Sequence, residues 1–215
     1  MPPAELPVLY ADAAMLVLDK PAGLLSVPGR GADKQDCLST RAQCQFPDAL
    51  IVHRLDMATS GVMVLARGGV AQRALNDAFA SRNVNKRYVA IVDGHLAPPP
   101  EPWGVIDLPI IVDWPHRPRR VIDQQRGKPS VTRWRVLSHN AANETTRLEL
   151  EPVTGRSHQL RVHLLALGHA IAGDTLYGSP RVQAKAARLQ LHAHSLELWH
   201  PVSAQPMRFV STAPF

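Results

Sequence analysis

The apolar run Val62-Met63-Val64-Leu65-Ala66 is the feature that most narrows the folds open to this chain. It is β-branched enough to read as a buried strand. A shorter apolar run, Leu50–Val52, precedes it. Between the two lies a polar turn, His53-Arg54-Leu55-Asp56-Met57-Ala58-Thr59-Ser60-Gly61. This arrangement presents one carboxylate, Asp56, on a loop carried by a rigid scaffold, where reactive groups usually sit. Taken alone, an Asp beside Thr and Ser also suits a turn residue bonded to its own backbone. The downstream sequence decides between the two.

Short runs of the same kind recur along the chain. Val8–Tyr10 and Met15–Leu18, separated by Ala11-Asp12-Ala13-Ala14, predict a hairpin or meander, and Lys20-Pro21-Ala22-Gly23 and Val27-Pro28-Gly29-Arg30-Gly31 predict turns. Asp36 to Cys44 reads as a short helix. Val70, Ala74, Leu75, Ala78 and Phe79 recur at helical spacing, which predicts an amphipathic helix over Val70–Ser81 packed on the strand before it. Asn85–Asp93 alternates as a strand, with Lys86, Tyr88, Ala90 and Val92 on one face. The proline-rich stretch from Ala97 to Pro118 reads as a loop with short extended pieces. Val131–Leu137 and Arg147–Glu151 read as paired strands, Ser157–Leu167 as a helix with Ser157 as its N-cap, and Leu189–Leu198 as a further strand. The short connections imply mostly antiparallel pairing in an α+β (mixed α/β) protein.

Charge narrows the partner. The chain of 215 residues suits one sizeable domain or at most two small ones, and its net charge of +6 favours a polyanion, nucleic acid above all. Arg117, Arg119, Arg120, Arg126, Lys128, Arg133 and Arg135 lie within Pro115–Arg135, where Asp123 is the only acid, and they read as a phosphate-contacting arm. The N-terminal sequence lacks a basic and apolar leader, and no apolar run approaches a membrane span, so the expected location is the cytoplasm. Without a leader, Cys37 and Cys44 read as thiols rather than a disulfide.

Several chemistries fit poorly. Gly29 and Gly31 begin a dinucleotide fingerprint that Lys34 interrupts, and Asp174 stands where a phosphate loop needs lysine. His158 and His163 are five residues apart and do not share a helix face, while His192 and His194 lack a third ligand at fixed spacing, so no metal site is expected. No Ser sits in a nucleophile elbow, and Glu149 or Glu151 give no specific signal for a glycosidase pair.

Four separated stretches, read together, resemble one known family. They are His53-Arg54-Leu55-Asp56 with Thr59-Ser60-Gly61; Lys86-Arg87-Tyr88-Val89-Ala90-Ile91-Val92-Asp93-Gly94; Thr154-Gly155-Arg156-Ser157-His158-Gln159-Leu160-Arg161-Val162-His163 running on to Gly173-Asp174-Thr175-Leu176-Tyr177-Gly178; and Leu191-His192-Ala193 with His200-Pro201. In this order and spacing the chain resembles the RluA family of RNA pseudouridine synthases, and Leu108-Pro109 and Asp113-Trp114-Pro115 resemble its short-chain members. The resemblance spans essentially the whole chain. It implies the pseudouridine synthase fold, a largely antiparallel mixed sheet with helices and loops around a basic cleft, in a single catalytic domain over residues 1–215 with no separate N-terminal RNA-binding module. It also implies an isomerase that breaks the uracil–ribose C–N bond and rejoins the base through C5 without metal, nucleotide or redox cofactor. Asp56 matches the family's essential aspartate, as nucleophile at C1′ or base at C2′. Tyr88 matches the tyrosine that stacks on the target base. Arg156 matches the arginine that opposes the effect of burial on the carboxylate.

Beyond that trio, Arg54 is expected to hold a phosphate or fill the gap left by the extruded uridine, and Lys86, Arg117, Arg119 and Arg120 to contact RNA. The implied substrate is a stem-loop of 23S rRNA, of tRNA, or of both, since unstacking costs least in a loop. A monomer is the default. The reading from another class is a non-catalytic RNA-binding protein or chaperone that retains the fold.

Overall fold

Strand after strand forms where the alternation and apolar runs predict, and β-branched runs close into two compact units. The computed structural model describes residues 6–215. One unit comprises the described residues up to Lys86 together with His192–Pro214; the other comprises Arg87–Leu191 with Phe215.

In the first unit, β1 (Val8–Ala11) and β2 (Met15–Lys20) form the expected hairpin, and β2 pairs antiparallel with β4 (Ser60–Arg67). The short strand β3 (Ala49–Ile51) pairs with the far end of β4. Of β4, Ser60 to Ala66 are all buried, as the apolar run predicts. The helix α1 (Leu38–Gln45) starts at Cys37, whose sulfur accepts from the Thr40 N–H, so Cys37 serves as a cap. The amphipathic helix α2 (Gly69–Ala80) buries Ala71 and Leu75 against Val62, Val64 and Val84. A fully buried valine or leucine side chain contributes roughly 1.5–3 kcal/mol. The strand β11 (Leu191–Trp199) runs parallel to β4 at its start and antiparallel to β12 (Pro206–Val210), an element without a predicted counterpart.

The second unit is an antiparallel succession β5 (Asn85–Asp93), β10 (Thr145–Pro152), β9 (Val131–Asn140) and β6 (Gly104–Asp107). Gly104 is required where it stands: a Cβ there would lie 2.4 Å from the Trp134 ring. The proline-rich stretch supplies β6 and β7 (Ile110–Val112), and β7 pairs with β8 (Arg120–Ile122) in a separate hairpin. The helix α3 (Gln159–Ala166) contributes Val162 to a small core with Ile110 and Tyr177, and α4 (Pro180–Ala184) is a short helix capped by Ser179. Among the described residues, no helix is long and apolar enough to cross a membrane.

The expected N-cap of α3 needs correction. The helix starts at Gln159 after His158, which has a left-handed φ of 56° and offers no side-chain cap. Ser157 lies in the exposed turn before it, and the Gln159 side chain accepts the Arg156 N–H of that turn.

Candidate active site

Asp56 sits half-buried in the loop joining β3 to β4, in a turn closed by the Thr59 N–H donating to the Asp56 carbonyl at 3.0 Å. The sequence builds this turn by using side chains as backbone partners. Ser26 Oγ donates to the Leu55 carbonyl at 2.7 Å and accepts from the Leu55 N–H at 3.2 Å. Lys20 is fully buried, and its ammonium donates to the carbonyls of Leu24 at 2.7 Å, Pro21 at 2.9 Å and Met57 at 3.1 Å. A buried ammonium is tolerated only when its donors are satisfied, so these carbonyls are held in place around it. The Gly23 N–H adds a further bond to the Met57 carbonyl at 2.8 Å.

Two histidines flank the turn. His53 accepts the Val64 N–H at Nε2, 3.0 Å away, and stacks on Phe79 of α2 with ring centroids 4.5 Å apart. Burial, with a smaller push from the Lys86 charge, lowers its pKa from 6.5 to about 3, so the ring is the neutral acceptor this bond demands. On the other side, His192 Nδ1 lies 2.9 Å from Ser60 Oγ and Nε2 lies 3.0 Å from the Ser211 carbonyl, while Ser211 Oγ donates to Asp19 at 2.8 Å. Gly61 has φ +115° and approaches β11 so closely that a Cβ would lie 2.3 Å from the Ala193 carbonyl oxygen. Ser60-Gly61 and His192-Ala193 thus form one seam that seats the start of β4. Arg54 is exposed on the same loop. Lys86 is half-buried, and burial, with the Arg82 charge, lowers its pKa.

Tyr88, Arg117, Arg119, Arg120 and Arg156 belong to the second unit, whereas Arg54, Asp56 and Lys86 belong to the first. Tyr88 is half-buried on β5 opposite Leu150 of β10. Arg156 is exposed in the turn before α3. That turn is organised by Gln159, to which sequence reasoning assigns no role. Its Oε1 accepts from Thr154 Oγ1 at 2.7 Å and from the Arg156 N–H at 3.0 Å, and its Nε2 donates to the Val131 carbonyl and Thr132 Oγ1, both at 3.0 Å. The signal was present in the Thr154-Gly155-Arg156-Ser157-His158-Gln159 stretch, but spacing alone does not say that the amide turns back onto the arginine.

The stretch Gly173–Gly178 also has a structural explanation. Asp174 forms a buried bidentate pair with Arg161, at 2.6 and 2.8 Å, and accepts the Leu176 and Tyr177 N–H groups. This seats Tyr177, whose hydroxyl lies 2.7 Å from His158 Nδ1 and accepts the Arg120 N–H at 2.8 Å. Arg119 stacks its guanidinium 5.6 Å from the Tyr177 ring centroid.

The expected basic arm is divided by the fold. Arg117, Arg126 and Lys128 are exposed, Arg119 and Arg120 are half-buried, and Arg126 pairs with Asp123 at 3.2 Å. Arg133 and Arg135 lie on β9, where register brings Glu151 and Glu149 of β10 opposite them. They form ion pairs there at 3.2 and 2.6 Å, and together with Arg87, which also pairs with Glu151, they surround Trp103. Sequence distance hid these acids: Asp123 is the only one within the segment, yet the strand pairing supplies two more.

One unit carries the pinned Asp turn, and the other carries the strand tyrosine and the arginine turn held by a glutamine. A family model described as RNA pseudouridylate synthase matches residues 14–166, and the chain belongs to that family of isomerases. Among its relatives, the dual-specificity RNA pseudouridine synthase RluA of Yersinia pestis is 50% identical over 208 residues, covering 97% of this chain and 99% of that protein. The protein of the same name from Escherichia coli K12 is 49% identical over 216 residues, covering 100% of this chain and 97% of its own. A solved structure, human RNA pseudouridylate synthase domain containing 1, superimposes with a TM-score of 0.80 at 29% identity over 98% of this chain and 84% of that one.

Proposed function

We propose that this RNA pseudouridine synthase isomerises uridines in stem-loops of 23S rRNA and tRNA, acting as a monomer in the cytoplasm. The observation that carries the reading is near-complete, 49–50% identical coverage by relatives named as dual-specificity enzymes, with Asp56 on a pinned turn. The target uridine is extruded, because its C1′ and C5 are inaccessible inside a helix; unstacking costs a few kcal/mol and least in a loop. The Asp56 carboxylate acts on the ribose, as nucleophile at C1′ or base at C2′. Tyr88 stacks on the freed uracil and assists removal of the C5 proton, and Arg156 supplies the positive charge that keeps a carboxylate ionised. The C1′–N1 bond breaks, a C1′–C5 bond forms, N1 gains a proton and C5 loses one to solvent. Substrate and product are isomers, so no oxidant or co-substrate enters. Arg54 fills the gap left by the uridine or holds a phosphate beside it, and Lys86, Arg117, Arg119 and Arg120 contact RNA.

Tritium release from stem-loop RNA labelled at uridine C5 tests this. Wild type releases tritium from both 23S rRNA and tRNA stem-loops, and Asp56→Asn releases none. Equal release by the variant would remove Asp56 from the chemistry, while tight binding without release by wild type would point to an RNA chaperone.

A further inference from the structure

Trp114 stands apart from the site described above. Its side chain is 65% exposed, although a large aromatic ring gains most from burial. It sits at the tip of the hairpin β7–β8, in the loop 113–119. The Arg117 guanidinium lies over the indole, 4.2 Å from its centroid. A guanidinium on one face holds the ring in one orientation, and the high exposure leaves the opposite face to solvent.

The loop itself is pre-organised. The Asp113 N–H donates to the Arg119 carbonyl at 3.1 Å, the His116 N–H to the Asp113 carbonyl at 3.2 Å, and the Arg119 N–H to the His116 carbonyl at 3.0 Å. His116 Nδ1 lies 3.0 Å from Asp113 Oδ2, and Pro115 and Pro118 restrict the backbone on either side of it. Where the loop meets β8, the hairpin is tied to Tyr177 through the Arg120 N–H at 2.8 Å. A fixed π-face with three arginines within four residues, and a single carboxylate already engaged by His116, is the chemistry that takes a flat base with its phosphates.

We propose that Trp114, backed by Arg117, is a stacking platform for one unpaired nucleobase of the substrate RNA other than the isomerised uridine. The proposal rests on the reading that the substrate is a stem-loop with unpaired bases. It gives the hairpin a role in choosing among loops: a loop that presents a base to Trp114 is held, and a fully paired one is not.

The test measures affinity for dye-labelled stem-loop RNA at fixed salt, with the intact loop and with an abasic site placed at each unpaired position other than the target. Trp114→Ala weakens binding of the intact loop about 10-fold or more, while Trp114→Phe keeps most of the affinity. At one position, the abasic site weakens wild type by a similar factor and Trp114→Ala no further, the coupling expected of two partners in contact. The proposal is overturned if Trp114→Ala binds like wild type, or if every abasic site weakens variant and wild type alike. Tritium release on the same RNAs is read separately, so a failure of the reaction reading shows there and a failure of the stack shows in affinity.

Discussion

Single side chains substitute for backbone partners around the Asp56 turn, and this makes stability depend on their protonation. His53 must be neutral to accept the Val64 N–H, and its pKa falls to about 3 from 6.5. Between those values the unfolded chain binds a proton that the folded one refuses. Stability is therefore full above the unfolded pKa and declines as pH falls toward the folded one. The loss is about 2 kcal/mol on going from about pH 7 to about pH 5. His163, lowered by burial against the opposing Leu108 carbonyl and Asp107, adds to the same slope. Urea unfolding of wild type and His53→Gln at both pH values checks this: the variant should be less stable throughout but less sensitive to pH, and parallel slopes would refute the assignment. Gly61 makes a second point at this scale. Its φ of +115° and the Ala193 carbonyl 2.3 Å from any added Cβ make Gly61→Ala destabilising by at least about 2 kcal/mol, read as a lower unfolding midpoint.

Among the elements, the hairpin β7–β8 differs most from its sequence-level expectation. Arg119 and Arg120 are expected in a phosphate-contacting arm; in the structure Arg119 stacks on Tyr177 and Arg120 bonds the Pro118 and Arg119 carbonyls. Both remain partly exposed. Replacing the two together by alanine should weaken RNA binding and reduce the slope of log affinity against log salt by about one to two. An unchanged slope in a salt titration would exclude both from phosphate contact. The strands β5, β9 and β10 and the helix α2 were legible because their apolar residues keep a single period. The strand β12 was not, since Pro206–Val210 exposes Pro206, Arg208 and Val210 and draws its order from pairing with β11. The cap of α3 was misplaced for a related reason: Ser157 is a good local cap by residue type, but the helix starts two residues later, after His158 in a left-handed conformation, and the Gln159 side chain bonds back to the Arg156 N–H of the turn.

Across the whole molecule, a net charge of +6 predicts an affinity for RNA that falls as salt rises. A fold shared with the human structure at 29% identity, with a TM-score of 0.80, shows that the pattern of burial outlasts most individual residues. Local sequence determined the strands with a clean alternation, the amphipathic helix and the Asp56 turn, because each depends on residues close together in the chain, and the order and spacing of four separated motifs carried the resemblance that names the reaction. Tertiary structure alone decided which partners those residues find. It brought Glu149 and Glu151 against arginines 14 and 18 residues away, set Lys20 beneath the Met57 carbonyl 37 residues on, and turned Ser60 and His192, 132 residues apart, into one seam. Such pairings depend on strand register and on polar groups that must be satisfied once buried, and neither is encoded in any short stretch of the chain.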